Sequence, residues 1–231
     1  MFGLRTRDMH IPDGYLSPQT SGVFYLLMAP LWYAASRIVK RRLKARQVPY
    51  LAFAAAFSFV IMMFNIPIPG GSTGHAIGGT LVAVLLGPWA AMVAITVTLV
   101  VQALLFGDGG VMAIGANCFN MAFALPFAGY LVYRVISLNS PPGSMRRAVA
   151  AGVGAYAGLA LASLLTGLEI GAQPLFHHSA DGKPLYCPYG PDIAVPVMLL
   201  EHLLVFCWFE GAVTFLVVRY LQKEDASLIS G

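Results

Sequence analysis

Apolar runs with almost no charge fill this chain, at about 19–38, 49–64, 77–87, 89–107, 111–136, 148–167 and 194–221. A helix needs about 20 apolar residues to cross the hydrocarbon core of a bilayer. Six of the runs approach or exceed that length, and the third is short. Only 10% of residues are charged and the mean hydropathy is +0.74, against about a quarter charged in soluble domains. Inside a bilayer the backbone must satisfy its own hydrogen bonds, and runs of this length do so as helices. The sequence therefore predicts an all-α fold: a polytopic membrane helix bundle.

The stretch 78–107 is too long for one span, since as a single helix it would reach about 45 Å at 1.5 Å per residue. Pro88 after Gly87 is a natural break, because proline lacks the N–H and the φ freedom to continue a helix. Two helical segments there give seven transmembrane helices. With the N-terminus outside and the C-terminus cytoplasmic, eleven of the 14 Lys and Arg fall inside, including the KRRLKAR run at 40–46. Only Arg5, Arg7 and Lys183 stay outside, so this arrangement best obeys the positive-inside rule. The net charge of +4 is spent on that loop pattern, which argues against nucleic acid as a partner and for the lipid bilayer. The region divides as an N-terminal extension (1–8), one transmembrane metal-binding domain (9–223) and a cytoplasmic tail (224–231).

This topology gathers polar loops on the outer face: the N-terminal stretch, loop 65–76, the FGDGG turn and loop 168–193. His10, His75, His177 and His178 all lie there, and His202 sits in the outer half of the last span. The segment PIPGGSTGHAIGG, 67–79, surrounds His75 with glycines. Gly70, Gly71 and Gly74 permit tight folding and close approach, which suits a ligand on an unusual backbone path. A flexible turn with an incidental histidine is the other reading. If translation begins at Met9, the Met9 amine, the His10 amide nitrogen and His10 Nδ1 can chelate one metal, with His75 as the fourth nitrogen. A square-planar nitrogen set favours Ni(II) or Cu(II) over tetrahedral Zn(II). For His10 taken alone, an interfacial anchor is the simpler reading. Pro12, Asp13 and Gly14 favour a turn, either to bend this arm into the bundle or as a generic entry to the first helix.

Further polar residues interrupt the apolar runs. Asn117 and Asn120 are three apart, a spacing that places them on one helix face. They can support the histidines as a second shell or hydrogen-bond between helices. Glu201 can orient a ligand or hold local structure, and with His202 it is ionisable within a span. His177 and His178, with Cys187, are a second metal-capture candidate or a solvated loop. Ala150, Gly154, Gly158 and Ala162 form a small-residue stripe for a close helix contact, within the chain or with a partner. The three cysteines show no paired spacing, and no convincing signal-peptide cleavage site follows the first residues. HExxH, GxSxG and Walker A motifs are absent, so the sequence predicts no enzyme activity and no ATP hydrolysis by this chain.

MHIPDGYLSP (9–18), PIPGGSTGHAIGG (67–79), LLGPWA (85–90), GANCFNM (115–121) and EGAVT (210–214) resemble the NikM/CbiM family, from Met9 to about Lys223. These are substrate-specificity subunits of energy-coupling factor transporters for nickel and cobalt. The resemblance implies a seven-helix membrane protein with its N-terminus outside. It implies metal binding by Met9, His10 and His75, in a bacterial or archaeal plasma membrane. It implies a transmembrane coupling subunit, ATP-binding-cassette ATPase subunits and a small accessory membrane subunit as partners. The GGSTGH form resembles the nickel branch, making Ni(II) the expected transported ligand and Co(II) the alternative. The eight residues MFGLRTRD before Met9 depart from the family pattern, since a preceding residue turns the Met9 amine into an amide. A stand-alone metal channel or facilitator, or a membrane metalloenzyme, are the readings from other classes.

Overall fold

The computed structural model describes residues 10–67 and 73–229. Met9, the extension 1–8, Gly70 and Gly71 lie outside the described residues. The protein is mostly helical: α1 (Pro18–Arg42), α2 (Val48–Met62), α3 (Gly79–Leu86), α4 (Pro88–Phe106), α5 (Ile114–Ser137), α6 (Met145–Phe176) and α7 (Pro191–Glu224). Each expected apolar run is helical. Five of these helices (α1, α4, α5, α6 and α7) are long and apolar enough to cross a membrane, while α2 is shorter.

Local chemistry sets the ends. Ser17 caps α1 by accepting the Thr20 N–H at 3.1 Å, and Pro18 follows at the first helical position. Proline suits that position because its missing N–H would have no partner there. Lys40, Arg41 and Arg42 fill the last turn of α1, where cations meet the negative helix end. Gly87, with φ of 87°, donates its N–H to Ala83 O and closes α3, and Pro88 opens α4. The predicted break therefore falls at Gly87–Pro88.

Helix α6 is the spine of the bundle, packed between α5 and α7. The small-residue stripe serves contacts within this chain. A Cβ on Gly154 would run into the Gly129 carbonyl, and one on Gly158 would meet the Leu125 carbonyl at 2.6 Å. Gly152 and Gly211 oppose each other on α6 and α7 in the same way. Close backbones of this kind are how helices associate where lipid removes the hydrophobic driving force. Overpacking a filled interior costs roughly 1–3 kcal/mol. Gly154→Val should therefore lower the melting temperature in detergent, whereas Val153→Ala on the exposed side of the same turn should not.

The largest core cluster brings together Met28, Met92, Ile95, Met121, Leu125 and Phe206 from α1, α4, α5 and α7. Leu26, Phe53, Leu105, Leu204 and Trp208 are exposed, as expected of side chains that face lipid. Residues Ala226–Ile229 form a short turn, Ile229 is fully buried, and its carbonyl accepts Arg147 Nη1 at 2.7 Å.

Between α2 and α3 the chain makes a small antiparallel ribbon, Ile66–Pro67 against Thr73–Gly74, with Ile66 opposite Gly74. This ribbon delivers His75 directly to the head of α3.

Candidate metal centre

The arm that enters α1 is pinned from two sides. Asn117, in the first turn of α5, brackets Ile11: its Oδ1 accepts the Ile11 N–H at 3.1 Å and its Nδ2 donates to the Ile11 carbonyl at 3.2 Å. Gly110 N–H donates to the same carbonyl at 2.9 Å. The Asp13 carboxylate accepts the N–H groups of Val111 and Met112 at 3.1 and 2.9 Å. Gly14 takes a φ of 90°, and Tyr15 N–H closes the turn on Pro12 O at 3.4 Å. Pro12, Asp13 and Gly14 thus shape the arm, and Asp13 also ties it down. The FGDGG turn is the receiving surface. A Cβ on Gly109 would come within 3.0 Å of His10 Cβ, and one on Gly110 would overlap Asp13.

This docking buries His10, which is 7% exposed, beside His75, which is 5% exposed. Their ring centroids are 5.1 Å apart and the planes cross at 81°. His10 and His75, 65 positions apart in sequence, therefore share one pocket. The other ring nitrogens are committed. His10 Nε2 donates to Gln102 Oε1 at 3.2 Å, and His75 Nδ1 donates to the Ala76 carbonyl at 3.0 Å. The Ala76 backbone carbonyl can only accept, which puts the His75 proton on Nδ1, and with Gln102 Oε1 facing it the His10 ring carries its proton on Nε2. The lone pairs then sit on His10 Nδ1 and His75 Nε2. Fixing the tautomer through the second nitrogen is how proteins prepare histidine for a metal. His10 Nδ1 is also the ring nitrogen that closes a chelate ring with the His10 amide. Met9, the expected source of the amine, lies outside the described residues.

Gln102 is the first residue around the histidine pair that the sequence reading missed. It is fully buried at the head of a π-helical turn, Gln102–Phe106, and its signal was a lone amide inside LVVQALLF. Losing a group that orients a metal ligand typically costs roughly 10–100-fold in affinity. Gln102→Ala should weaken Ni(II) binding by about that much, measured by titration calorimetry of the purified protein.

Glu210 is the second. Its carboxylate accepts the Ile77 N–H at 2.7 Å and the Gly78 N–H at 3.0 Å, just after His75.

The other expected residues are placed elsewhere. Asn120 does not share the Asn117 surroundings: its Nδ2 donates to Thr166 Oγ1 at 3.1 Å and Glu169 Oε2 at 2.8 Å on α6. A π-helical turn from Cys118 to Ala124 adds residues to the turn and swings Asn120 off the expected face. Glu201 lies beside its neighbour His202, with Oε1 3.5 Å from Nδ1. That nitrogen donates to Met198 O at 2.8 Å. His177 Nε2 bonds Ser17 Oγ at 2.9 Å and its ring stands on Tyr186, while His178 points outward. Cys187 is buried beneath this loop, with its N–H donated to Tyr15 O at 3.2 Å. Burial pushes its thiol above the ordinary range, away from the thiolate a metal requires. The loop 177–187 thus clamps the start of α1. Among the described residues, no three His, Cys, Asp or Glu side chains converge into a ligand group.

With this geometry in view, the likenesses are specific. The family described as "Cobalt uptake substrate-specific transmembrane region", CbiM, matches residues 10–228. The "Probable fused nickel transport protein LarMN" of Lactiplantibacillus plantarum is 52% identical, covering 93% of this chain and 65% of its own length. The "Fused nickel transport protein NikMN" of Rhodobacter capsulatus is 50% identical, covering 96% of this chain and 64% of its own length. The chain thus spans just under two thirds of each fused relative. A crystal structure described as that of a transition metal transporter is 50% identical, with a TM-score of 0.88 and 94% of each chain covered. On the family match across residues 10–228 and these identities, the chain belongs to the CbiM family.

Proposed function

We propose that this chain captures Ni(II) from the outer face of the membrane for ATP-driven import through an energy-coupling factor transporter. The observation that carries the reading is the pair of buried imidazoles, His10 and His75, each with its tautomer fixed for ligation. The amine of Met9, the peptide nitrogen of His10 once its proton is released to solvent, Nδ1 of His10 and Nε2 of His75 together make four nitrogens for one ion. The similarity to two fused proteins named for nickel transport supports nickel. Co(II) is the second reading, favoured by the description of the family itself.

Seven membrane crossings with the N-terminus outside fit the basic residues. Arg146, Arg147 and Arg219 all bond backbone carbonyls of 136–143, and Lys40 to Arg42 end α1. In this reading the histidine pocket lies at the opposite, outer mouth. The chain carries no nucleotide-binding motif, so ATPase subunits, a coupling membrane subunit and a small accessory membrane subunit supply the drive.

The test is uptake of radioactive nickel and cobalt by cells producing this chain with and without the coupling and ATPase subunits. Nickel accumulation that requires those subunits and outpaces cobalt is the expected result. Cobalt accumulation in preference to nickel moves the assignment to cobalt. Accumulation by the chain alone, without ATP, overturns the coupled-import reading in favour of a facilitator.

A further inference from the structure

The two histidines of the pocket hang from different helices. His10 is held by Gln102 on α4, and the residue after it by Asn117 on α5. The His75 segment is held by α7, at two points one helical turn apart. Before His75, the Phe206 ring lies on Gly74 so closely that any Cβ there would overlap it. After His75, Glu210 takes the N–H groups of Ile77 and Gly78 with both carboxylate oxygens. Phe206 and Glu210 are almost completely buried, and no Lys or Arg pairs with Glu210 among the described residues. A buried carboxylate is costly unless hydrogen-bonded, and here two backbone N–H groups at the head of α3 take the place of a cation.

The opposite side of α7 faces outward, with Leu204, Trp208, Leu216 and Tyr220 exposed. At its far end Gln222 Nε2 donates to the carbonyls of Pro142 and Ser144 at 2.8 and 3.0 Å. Helix α7 therefore runs from the histidine pocket to the loop between α5 and α6. A π-helical turn, His202–Phe206, sits where α7 meets the His75 segment, and such turns are common at functional sites.

We propose that Glu210 is a positioning residue of the metal site, and that α7, through Glu210 and Phe206, sets the place of His75 relative to His10. The grip of α7 on the His75 segment is separate from the grip of α4 and α5 on the His10 arm, so a shift of α7 moves one ligand relative to the other. This rests on the proposed role of His10 and His75 as ligands.

The test uses the full chain purified in detergent. Ni(II) affinity and stoichiometry come from calorimetry, and the release rate from a chelator chase, for the unaltered protein, His75→Ala, Glu210→Gln and Phe206→Leu. A Gln side chain turns one acceptor oxygen into a donor facing N–H groups, which loosens the grip with little change of shape. Glu210→Gln should still bind one Ni(II) per chain, with affinity at least about 10-fold weaker, chiefly through faster release. Phe206→Leu should shift both values in the same direction. Unchanged affinity and release in both variants would overturn the inference while leaving the ligand reading intact. Lower stoichiometry with unchanged affinity would overturn it too, as the mark of a folding defect. No nickel binding by the unaltered protein, or full binding by His75→Ala, would instead sink the ligand reading itself.

Discussion

His75→Ala should abolish tight Ni(II) binding and leave the bundle folded. The ring is buried against His10, and in the proposed site it supplies the one nitrogen that does not come from the N-terminal arm. Without it the remaining donors lie on two consecutive residues, and water must complete the square. The loss should exceed the roughly 10–100-fold that removal of an orienting partner costs, because a ligand is lost outright. Folding should survive, because the segment is anchored by Glu210 through Ile77 and Gly78. Calorimetry and circular dichroism on one preparation check both halves. His178→Ala, on the exposed loop, is the matched control and should bind nickel as the unaltered protein does. Equal affinities for the two variants would remove His75 from the site.

The helices were legible because the bilayer leaves the backbone few choices. An apolar run must become a helix, and a Gly-Pro pair inside an overlong run must break it. Gly87 and Pro88 did both. The destination of the small-residue stripe on α6 was not legible, since a glycine face fits a partner subunit as well as a neighbouring helix. Only the position of Gly129 opposite Gly154 decides that. The packing of Ile229 back onto the bundle was likewise hidden, because a single apolar residue near a chain end carries no periodic signal.

At the site, the arm and the His75 loop stood out because histidine beside glycine and proline is rare decoration for a lipid-facing chain. Gln102 and Glu210 did not stand out, although each is a lone polar group in an apolar run. Their partners are a ring and a backbone segment far away in sequence, and residue spacing says nothing about either. Asn120 took the interhelical alternative, bonding across to α6, for a different reason. The rule that residues three apart share a face assumes an α-helix, and α5 turns π-helical at Cys118. Similar turns begin at Gln102 and at His202, so π-helical turns gather around the histidine pocket, where regular periodicity misassigns faces. Such a turn breaks the regular hydrogen-bond ladder, a cost that proteins tend to accept at functional sites.

The start of the working chain should matter as much as His75. A primary amine with a pKa of about 7.7–8.0 is a good donor to Ni(II) once deprotonated, whereas the nitrogen of an internal peptide has its lone pair delocalised into the carbonyl. Protein whose first residue is Met9 should therefore bind Ni(II) tightly. Protein retaining residues 1–8 should bind far more weakly, because it loses the amine and the five-membered chelate ring that the amine closes. Asp8 offers a carboxylate in exchange, a poorer match to a site that imidazoles and an amine otherwise define. Acetylating the amine of the shorter protein should reproduce the weak binding without changing its length, which separates the chemistry of the nitrogen from steric crowding by eight residues. The pH dependence gives an independent check. Protons compete with the metal for the amine and for the imidazoles, whose ordinary pKa is about 6.5, and the His10 peptide nitrogen ligates only by giving up its N–H proton, so binding releases protons and affinity falls as the pH drops through 8 toward 6. In the acetylated protein the amine no longer titrates, and the part of that fall lying near pH 8 should vanish while the imidazole part remains. Mass spectrometry of the N-terminus on each titrated sample completes the measurement. Tight, one-to-one binding by protein that begins at Met1 would rule out the amine as a ligand.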